Sequence, residues 1–390
     1  MSHRWIIAGG GTGGHVTPAL ALGETLRDAG EPVRFIGTRR GLEQRLVPEA
    51  GFELLALDSR PIVGRSIAQR IRAFYALLGA TFRAGRSLRE FGADLVISVG
   101  GYASVPAALA ALLTGTLIVL VNTDATPGAA NRMLARFARR VFVGFEGGRA
   151  AFASATREER IRVAGVPLRK DLVSEFRDAG CRAPRPEPSG GPVEPRRGEP
   201  GAPPQGPAHL FIFGGSQGAR QINDAMIQAL PRLDPARIKV VHQTGEADRD
   251  RVEAAYAGAA FEAEVIAFER DMPSRYRWAD LVLCRAGAIS VAELALAGRA
   301  SLLVPLAHVG GGEQFANARE LEQAGAARVL DSRALTADGL VEALEALLCD
   351  PSQLRRMGEN ASKLARPEAS HRIIEECRSL LAEASHRRRR

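Results

Sequence analysis

A two-domain α/β fold of doubly wound parallel sheets follows from three observations on the sequence. Short apolar strands alternate with helical stretches, glycine-rich loops follow the strands, and the same pattern begins again after an irregular stretch near the middle of the chain. Such βα units make parallel sheets because a parallel connection needs a crossover, and a helix supplies it. The chain has 390 residues, 46% of them apolar and 25% charged. That composition excludes disorder, collagen and disulfide scaffolds and leaves room for two or three domains.

The first strand is Trp5 to Ala8, ahead of the glycine loop 9–14, a helix from about Val16 to Ala29 and a second strand, Val33 to Ile36. Asp94 to Val99 is the next strand, then Gly100-Gly101, a helix of small residues and the strand Leu117 to Val121. Residues 181–209 hold 9 prolines and 5 glycines among 29 residues with no apolar period, which predicts a disordered linker. Leu210 to Phe213 restarts the pattern, followed by the loop GGSQGAR and a helix from Gln221 to Leu230. Strands are predicted at 238–242, 263–268, 280–284 and 300–304, and helices near 337–348, 352–365 and 368–384, before an arginine tail at 387–390. The expected divisions are a first domain at 1–180, a linker at 181–209, a second domain at 210–366 and a C-terminal helix with its tail at 367–390.

Charge is unevenly placed. Residues 1–180 hold 24 basic against 16 acidic residues and residues 181–390 hold 28 of each, so the net +8 lies in the first half. Between Arg60 and Arg89 there are seven arginines and no acidic residue. Ile67, Ile71, Phe74, Leu78 and Phe82 recur there at helical steps, which makes an apolar face bordered by guanidinium groups. Taken alone, that face reads either as a core-facing helix with a basic outer side or as a helix lying on an anionic membrane. Only Phe74, Tyr75 and Phe82 offer stacking groups, so nucleic acid is not the expected partner. Four cysteines never fall at CxxC spacing, which excludes a zinc knuckle. MSHRWIIAGGG lacks the apolar core of a signal peptide, and Val105 to Val121 is too short and too interrupted to span a bilayer. A cytosolic setting without a transmembrane helix is expected.

The loop Gly9-Gly10-Gly11-Thr12-Gly13-Gly14-His15 satisfies GxGxxG by its letters. A dinucleotide site would also need an acidic residue some twenty positions on, and Gly37-Thr38-Arg39-Arg40 stands there instead, whose two arginines could suit a 2′-phosphate and keep an NADP enzyme open as an alternative. A glycine turn lets backbone N–H groups approach an anion, and a histidine beside it can take a proton from a bound hydroxyl. The second loop, Gly214-Gly215-Ser216-Gln217-Gly218, precedes a helix whose positive end favours a diphosphate. HQTG (242–245), FERDM (268–272) and CRAGAISVAE (284–293) follow later strands. Glu293, among apolar neighbours, reads as a grip on a ribose diol or as a buried packing residue. Asp248-Arg249-Asp250 spells DxD on a predicted solvated helix and is read as surface charge.

Together the stretches GGTGGHVTP, GGYASVP, GVPLR, GGSQGAR, HQTG, FERDM, CRAGAISVAE and EQFANARELEQAGAA resemble, in order and over nearly the whole chain outside 181–209, the MurG family of N-acetylglucosaminyltransferases. The resemblance implies a GT-B fold, two Rossmann-like domains facing a cleft, and inverting transfer from UDP-N-acetylglucosamine to lipid I at the cytoplasmic face of the membrane, giving lipid II. It implies no cofactor and no metal, and it favours the anionic-membrane reading of residues 60–89. By the same resemblance His15 is the base for the acceptor hydroxyl, and Thr12, Gly13 and Gly14 touch the donor sugar and diphosphate. Arg169 and Ser216 hold donor phosphate and nucleotide, and the backbone around Phe268 and Glu269 reads the uracil edge. Ala288, Ile289, Ser290, Val291, Ala292 and Glu293 wrap the phosphates and ribose, and Gln314 hydrogen-bonds the sugar hydroxyls.

Three departures fall at the site. The family's HEQN is Val121-Asn122-Thr123-Asp124 here, the asparagine of its GNPVR is Val166, and its acidic-His-Gln stretch reads Gly310-Gly311-Gly312-Glu313-Gln314. Asp124 would repel a diphosphate or act as a second base, because a carboxylate only accepts hydrogen bonds. Two other readings stay open on sequence: a UDP-sugar epimerase of the same architecture, and a catalytically silenced UDP-sugar-binding relative.

Overall fold

The structure is a computed structural model and describes residues 2–11, 13–39, 41–57, 67–101, 104–178, 206–215, 218–307 and 312–388. Two parallel sheets organise it. The first is built from β1 (Trp5–Gly9), β2 (Val33–Thr38), β3 (Glu53–Leu57), β4 (Leu95–Gly100), β5 (Leu117–Asn122), β6 (Arg140–Val143) and β7 (Ile161–Val163), in the order β3-β2-β1-β4-β5-β6-β7. The second is built from β8 (Ala208–Phe213), β9 (Ile238–Gln243), β10 (Ala263–Ile266), β11 (Leu281–Cys284), β12 (Ala300–Leu303) and β13 (Ala327–Val329), in the order β10-β9-β8-β11-β12-β13. Most of the predicted linker, 181–205, lies outside the described residues.

The central strands are apolar on both faces because helices cover both. Along β1, Trp5 and Ile7 enter one cluster with Leu22, Phe35 and Ile97, while Ile6 and Ala8 enter the opposite one with Val96, Ala107 and Leu120. In the second sheet Leu210, Ile212, Leu281 and Leu283 pack on one face with Met226 and Leu302. β3, β6, β7 and β13 were not anticipated from the sequence. β7 and β13 have three residues each and β6 four, of which Val141, Phe142 and Val143 are buried, and β3 is an edge strand with only Leu57 fully buried, so all four are too short for periodicity to mark them clearly.

The chain divides into two compact units, Met1–Lys170 with Arg366–Arg390, and Asp171–Ala365. The closing helix Ala369–Arg388 brings Ile373, Ile374 and Cys377 into the core beside Trp5 and Phe142. At its rim Glu376 pairs with Arg140 at 3.0 Å and Arg162 at 3.3 Å, and Arg378 reaches Glu31 at 3.3 Å.

Each sheet has one place where the chain changes direction across it, between β1 and β4 in the first and between β8 and β11 in the second. Connections leave such neighbouring strands toward opposite faces, which opens a crevice at the strands' C-terminal ends where ligands of open α/β sheets bind. In the first sheet the pairing also shifts register there, between Ala8 and Gly9.

Candidate functional site

In the first unit, the loops after β1 and β4 are pressed together at this point. A Cβ on Gly101 would lie 2.1 Å from the Gly10 carbonyl oxygen, and one on Gly100 would lie 2.8 Å from His15 Cδ2. Both glycines also have positive φ, +79° at Gly101 and +110° at Gly100, which other residues adopt only at a cost. His15 is the third residue of the helix Gly13–Asp28 and is half-buried. Burial holds its pKa below the ordinary histidine value, and the charges of Asp124 and Glu43 oppose that shift. Burial thereby favours the neutral form of the ring. Gly13 is half-buried and Gly14 exposed beside it, while Thr12 lies outside the described residues.

A buried carboxylate that the sequence reading did not single out underlies this loop. Glu43 accepts the Thr38 N–H and hydroxyl at 2.7 Å each and the Gly11 N–H at 2.8 Å. Cβ atoms at Gly10, Gly37 and Gly41 would each approach it within 2.5 Å, so three glycines make its berth. The available signal was the glycines themselves, of which only Gly10 had been read, as part of a loop for ligand approach. The β5 end carries a second polar group. Asn131 donates to Asn122 Oδ1 at 3.0 Å, and Asn122 donates to the Asp124 carbonyl at 2.6 Å, which fixes the turn bearing the Asp124 carboxylate. Val166 is buried, and a Cβ on Gly144 would meet its Cγ2 at 2.7 Å, so it packs beneath the ends of β6 and β7. Arg169 is half-buried and belongs to this first unit.

In the second unit, the helix Ala288–Ala297 follows the turn after β11. Val291 N–H bonds the Gly287 carbonyl at 2.9 Å, leaving the N–H groups of Ala288, Ile289 and Ser290 as those that helix geometry frees for an anion. Ala292 is half-buried on this helix. Glu293 is buried, and its Oε2 accepts the Tyr276 hydroxyl at 2.8 Å. Arg285 in the same turn donates to the Val304 carbonyl at 3.0 Å and to Gln221 Oε1 at 3.1 Å, and burial lowers its pKa from the ordinary guanidinium value. Asn317 donates to the Ala286 carbonyl at 3.1 Å, and Gln314 Oε1 accepts the Leu306 N–H at 2.9 Å. Ser216 and residues 308–311 lie outside the described residues.

Glu269 is used by the fold. Its Oε1 accepts the Asp271 N–H at 2.7 Å and its Oε2 accepts Arg275 Nε, while Arg275 also grips Glu264 at 2.7 Å. The carboxylate thus shapes the turn that follows the exposed Phe268. In the DxD-like run Arg249 and Asp250 are exposed as expected, and Asp248 alone departs from that reading. Asp248 ends a short 3₁₀ turn before the helix Arg249–Gly258, its side chain only 13% exposed, and accepts from Asn223 at 2.9 Å and Arg251 at 3.0 Å. It is a structural anchor, drawn inward because those donors satisfy it. Among the described residues, no group of three or more histidine, cysteine or carboxylate side chains is placed to hold a metal.

On the helix Ile67–Phe91, Phe74, Tyr75, Leu78 and Phe82 are exposed, Phe82 by 73% and Tyr75 by 68%. The inward side carries the small residues Ala80 and Ala84 together with Leu88, and a Cβ on Gly85 would lie 3.8 Å from Ala110 Cβ. The core-facing alternative therefore fails for Phe74, Leu78 and Phe82, which look outward because a face of small residues lets the neighbouring helix approach closely. Arg72, Arg83, Arg86 and Arg89 are exposed on the same helix. Arg60 and Arg65 lie outside the described residues, as do the side chains of Ile67, Arg70 and Ile71. No helix among the described residues is long and apolar enough to cross a membrane.

Comparison with known proteins bears on both units. Residues 5–143 match the glycosyltransferase family 28 N-terminal domain and residues 209–373 its C-terminal domain. The UDP-N-acetylglucosamine–N-acetylmuramyl-(pentapeptide) pyrophosphoryl-undecaprenol N-acetylglucosamine transferase of Syntrophus aciditrophicus is 37% identical over 98% of this chain and 99% of its own. Among solved structures, Acinetobacter baumannii MurG superposes with a TM-score of 0.75 at 29% identity, over 97% of this chain and 99% of its own. The two parallel-sheet units are thereby a GT-B fold. A Neisseria meningitidis UDP-GlcNAc 2-epimerase superposes at 0.63 over 96% of this chain and 99% of its own, but at 14% identity it shares the fold alone.

Proposed function

We propose that this chain, which belongs to the MurG family of glycosyltransferases, transfers N-acetylglucosamine from UDP-N-acetylglucosamine to the C4 hydroxyl of the N-acetylmuramoyl group of lipid I, forming lipid II for peptidoglycan. The near full-length identity to a transferase with those named substrates supports the donor and the acceptor. One observation carries the chemistry: His15 stands at the direction change of the first sheet, half-buried, its pKa lowered by burial and balanced by Asp124 and Glu43.

In this reading His15 takes the proton of the C4 hydroxyl as its oxygen attacks C1 of N-acetylglucosamine from the face opposite UDP. The C1–O bond to UDP breaks, its electron pair leaves with the diphosphate, and the configuration at C1 inverts. Preorganised N–H groups stabilise that developing charge without reorganisation. Thr12, Gly13 and Gly14 serve the donor sugar and diphosphate, as do Ser216 and the N–H groups of Ala288, Ile289 and Ser290. Val291 and Ala292 hold the same helix turn in place. Arg169 neutralises phosphate, Glu293 accepts from the ribose, and Gln314 bonds the sugar hydroxyls. The backbone at Phe268 and Glu269 reads uracil, with the Glu269 side chain held back by Arg275.

The exposed aromatic and arginine residues of Ile67–Phe91 rest on the anionic cytoplasmic leaflet, where the acceptor is anchored. Each arginine near such a surface adds about 1 kcal/mol.

The test is transfer of radiolabelled N-acetylglucosamine from UDP-N-acetylglucosamine to lipid I in detergent with EDTA present. Label in a lipid product is the expected result. UDP binding with no labelled product would overturn the transfer and favour a silenced binder.

A further inference from the structure

The motif His242-Gln243-Thr244-Gly245 has no part in the chemistry above, yet its first three side chains are buried. Gln243 Nε2 lies 2.9 Å from the Gly215 carbonyl oxygen and 3.3 Å from that of Ala267. Both partners can only accept, so the group facing them is the amide NH2, one proton to each. A single side chain thus joins the loop after β8 to the loop after β10.

The next residue completes the join. A Cβ on Gly218 would lie 1.9 Å from the Thr244 carbonyl oxygen, so the far end of the first loop rests directly on this strand end. That carbonyl accepts Asn223 Nδ2 at 3.0 Å. Asn223 Oδ1 lies 3.0 Å from His242 Nε2, and His242 Nδ1 lies 3.1 Å from the Tyr256 hydroxyl. With Asn223 Nδ2 already donating, its Oδ1 accepts, which assigns the proton to Nε2 and leaves Nδ1 to accept from Tyr256.

We propose that Gln243 is a positioning residue for nucleotide binding, holding Gly215 after β8 and the 267–271 loop in one arrangement so that a uridine diphosphate meets both already in place. The proposal rests on the reading of those loops as the diphosphate and uracil contacts. Preorganisation of this kind appears as affinity, because the ordering cost is met before the ligand arrives.

The test is calorimetric titration of the full chain with UDP, with Gln243→Met as the variant that keeps the volume and loses both donors. A rise in Kd of about tenfold or more is expected, with KM for the UDP-sugar rising in step and kcat changing less than about threefold. Hydrogen exchange in the ligand-free variant should quicken at 267–271 and 218–219 more than elsewhere. Thr336→Ala is the stability control. It removes the cap that accepts the Gly339 N–H at 3.1 Å, and it should lower Tm without altering UDP affinity. If Gln243→Met fails to fold, Gln243→Asn keeps the amide but not the reach, and a smaller rise in Kd is expected. Wild-type binding with variant affinity unchanged within twofold would overturn the brace alone. No UDP binding by the wild type would overturn the nucleotide reading and the brace with it.

Discussion

Glu43 and Thr38 are joined twice, the Glu43 Oε1 accepting both the backbone N–H and the hydroxyl of Thr38 at 2.7 Å. With the Gly11 N–H on its other oxygen, the carboxylate ties the end of β2 to the loop that carries His15. Glu43→Ala removes the buried acceptor of the two Thr38 donors, which costs roughly 1–3 kcal/mol for each, while the Gly11 N–H is exposed and can turn to water. A loss of several kcal/mol in urea unfolding is expected. Gly10→Ala puts a Cβ 2.2 Å from Glu43 Oε1, so the two substitutions together should cost less than their sum.

His15→Ala should lower turnover with lipid I by about 10²–10⁴-fold while leaving UDP affinity unchanged, as expected for a lost general base. Full turnover by the variant would end the assignment.

The acid limb of kcat/KM carries a sign. Burial lowers the His15 pKa, so activity should fall only below the ordinary histidine range. Asp124 raises that pKa, so Asp124→Asn should move the limb to lower pH and weaken the base. A limb that stays put would separate Asp124 from His15.

His242 gives a stability prediction. Its pKa is lowered to about 3 in the folded protein by burial, from 6.5 in the unfolded chain. Between those values the unfolded state binds the additional proton, so stability is fully present above about pH 6.5 and is lost as pH falls toward 3. The slope contributed is at most about 1.4 kcal/mol per pH unit. His242→Gln should flatten urea stability between about pH 6.5 and 4.5, where carboxylates contribute little.

Tyr75→Ser and Phe82→Ser should reduce binding to vesicles containing phosphatidylglycerol, and added salt should weaken wild-type binding. UDP affinity should not change. Vesicle binding that survives both substitutions would move the membrane contact elsewhere.

What could be read in advance follows the strength of local signals. β1, β4, β5, β8 and β11 are continuous apolar runs ending in glycine or a turn, and they were legible with the loops they position. β7 and β13, at three residues each, are defined by their neighbours in the sheet rather than by their own letters. His15 was legible as a histidine in a glycine turn. Glu43 was not, because a lone glutamate in a helical stretch looks like surface charge until Gly10, Gly37 and Gly41 are seen to enclose it. Asp248 misled for the same reason, since its partners Asn223 and Arg251 converge only in the fold. Nothing in the linear pattern indicates which unit the final helix joins.

That helix sets an order of events during synthesis. The first unit needs Ile373, Ile374 and Cys377 to close its core, so its opening 170 residues leave the ribosome with one flank of the sheet bare. At 5–20 residues per second the missing piece arrives about 10–45 s later. Within that interval the whole of Asp171–Ala365 has emerged and can fold as an intact insert. The unit made first is the unit finished last, and a chain cut short near residue 365 would carry a completed second half on an incomplete first one.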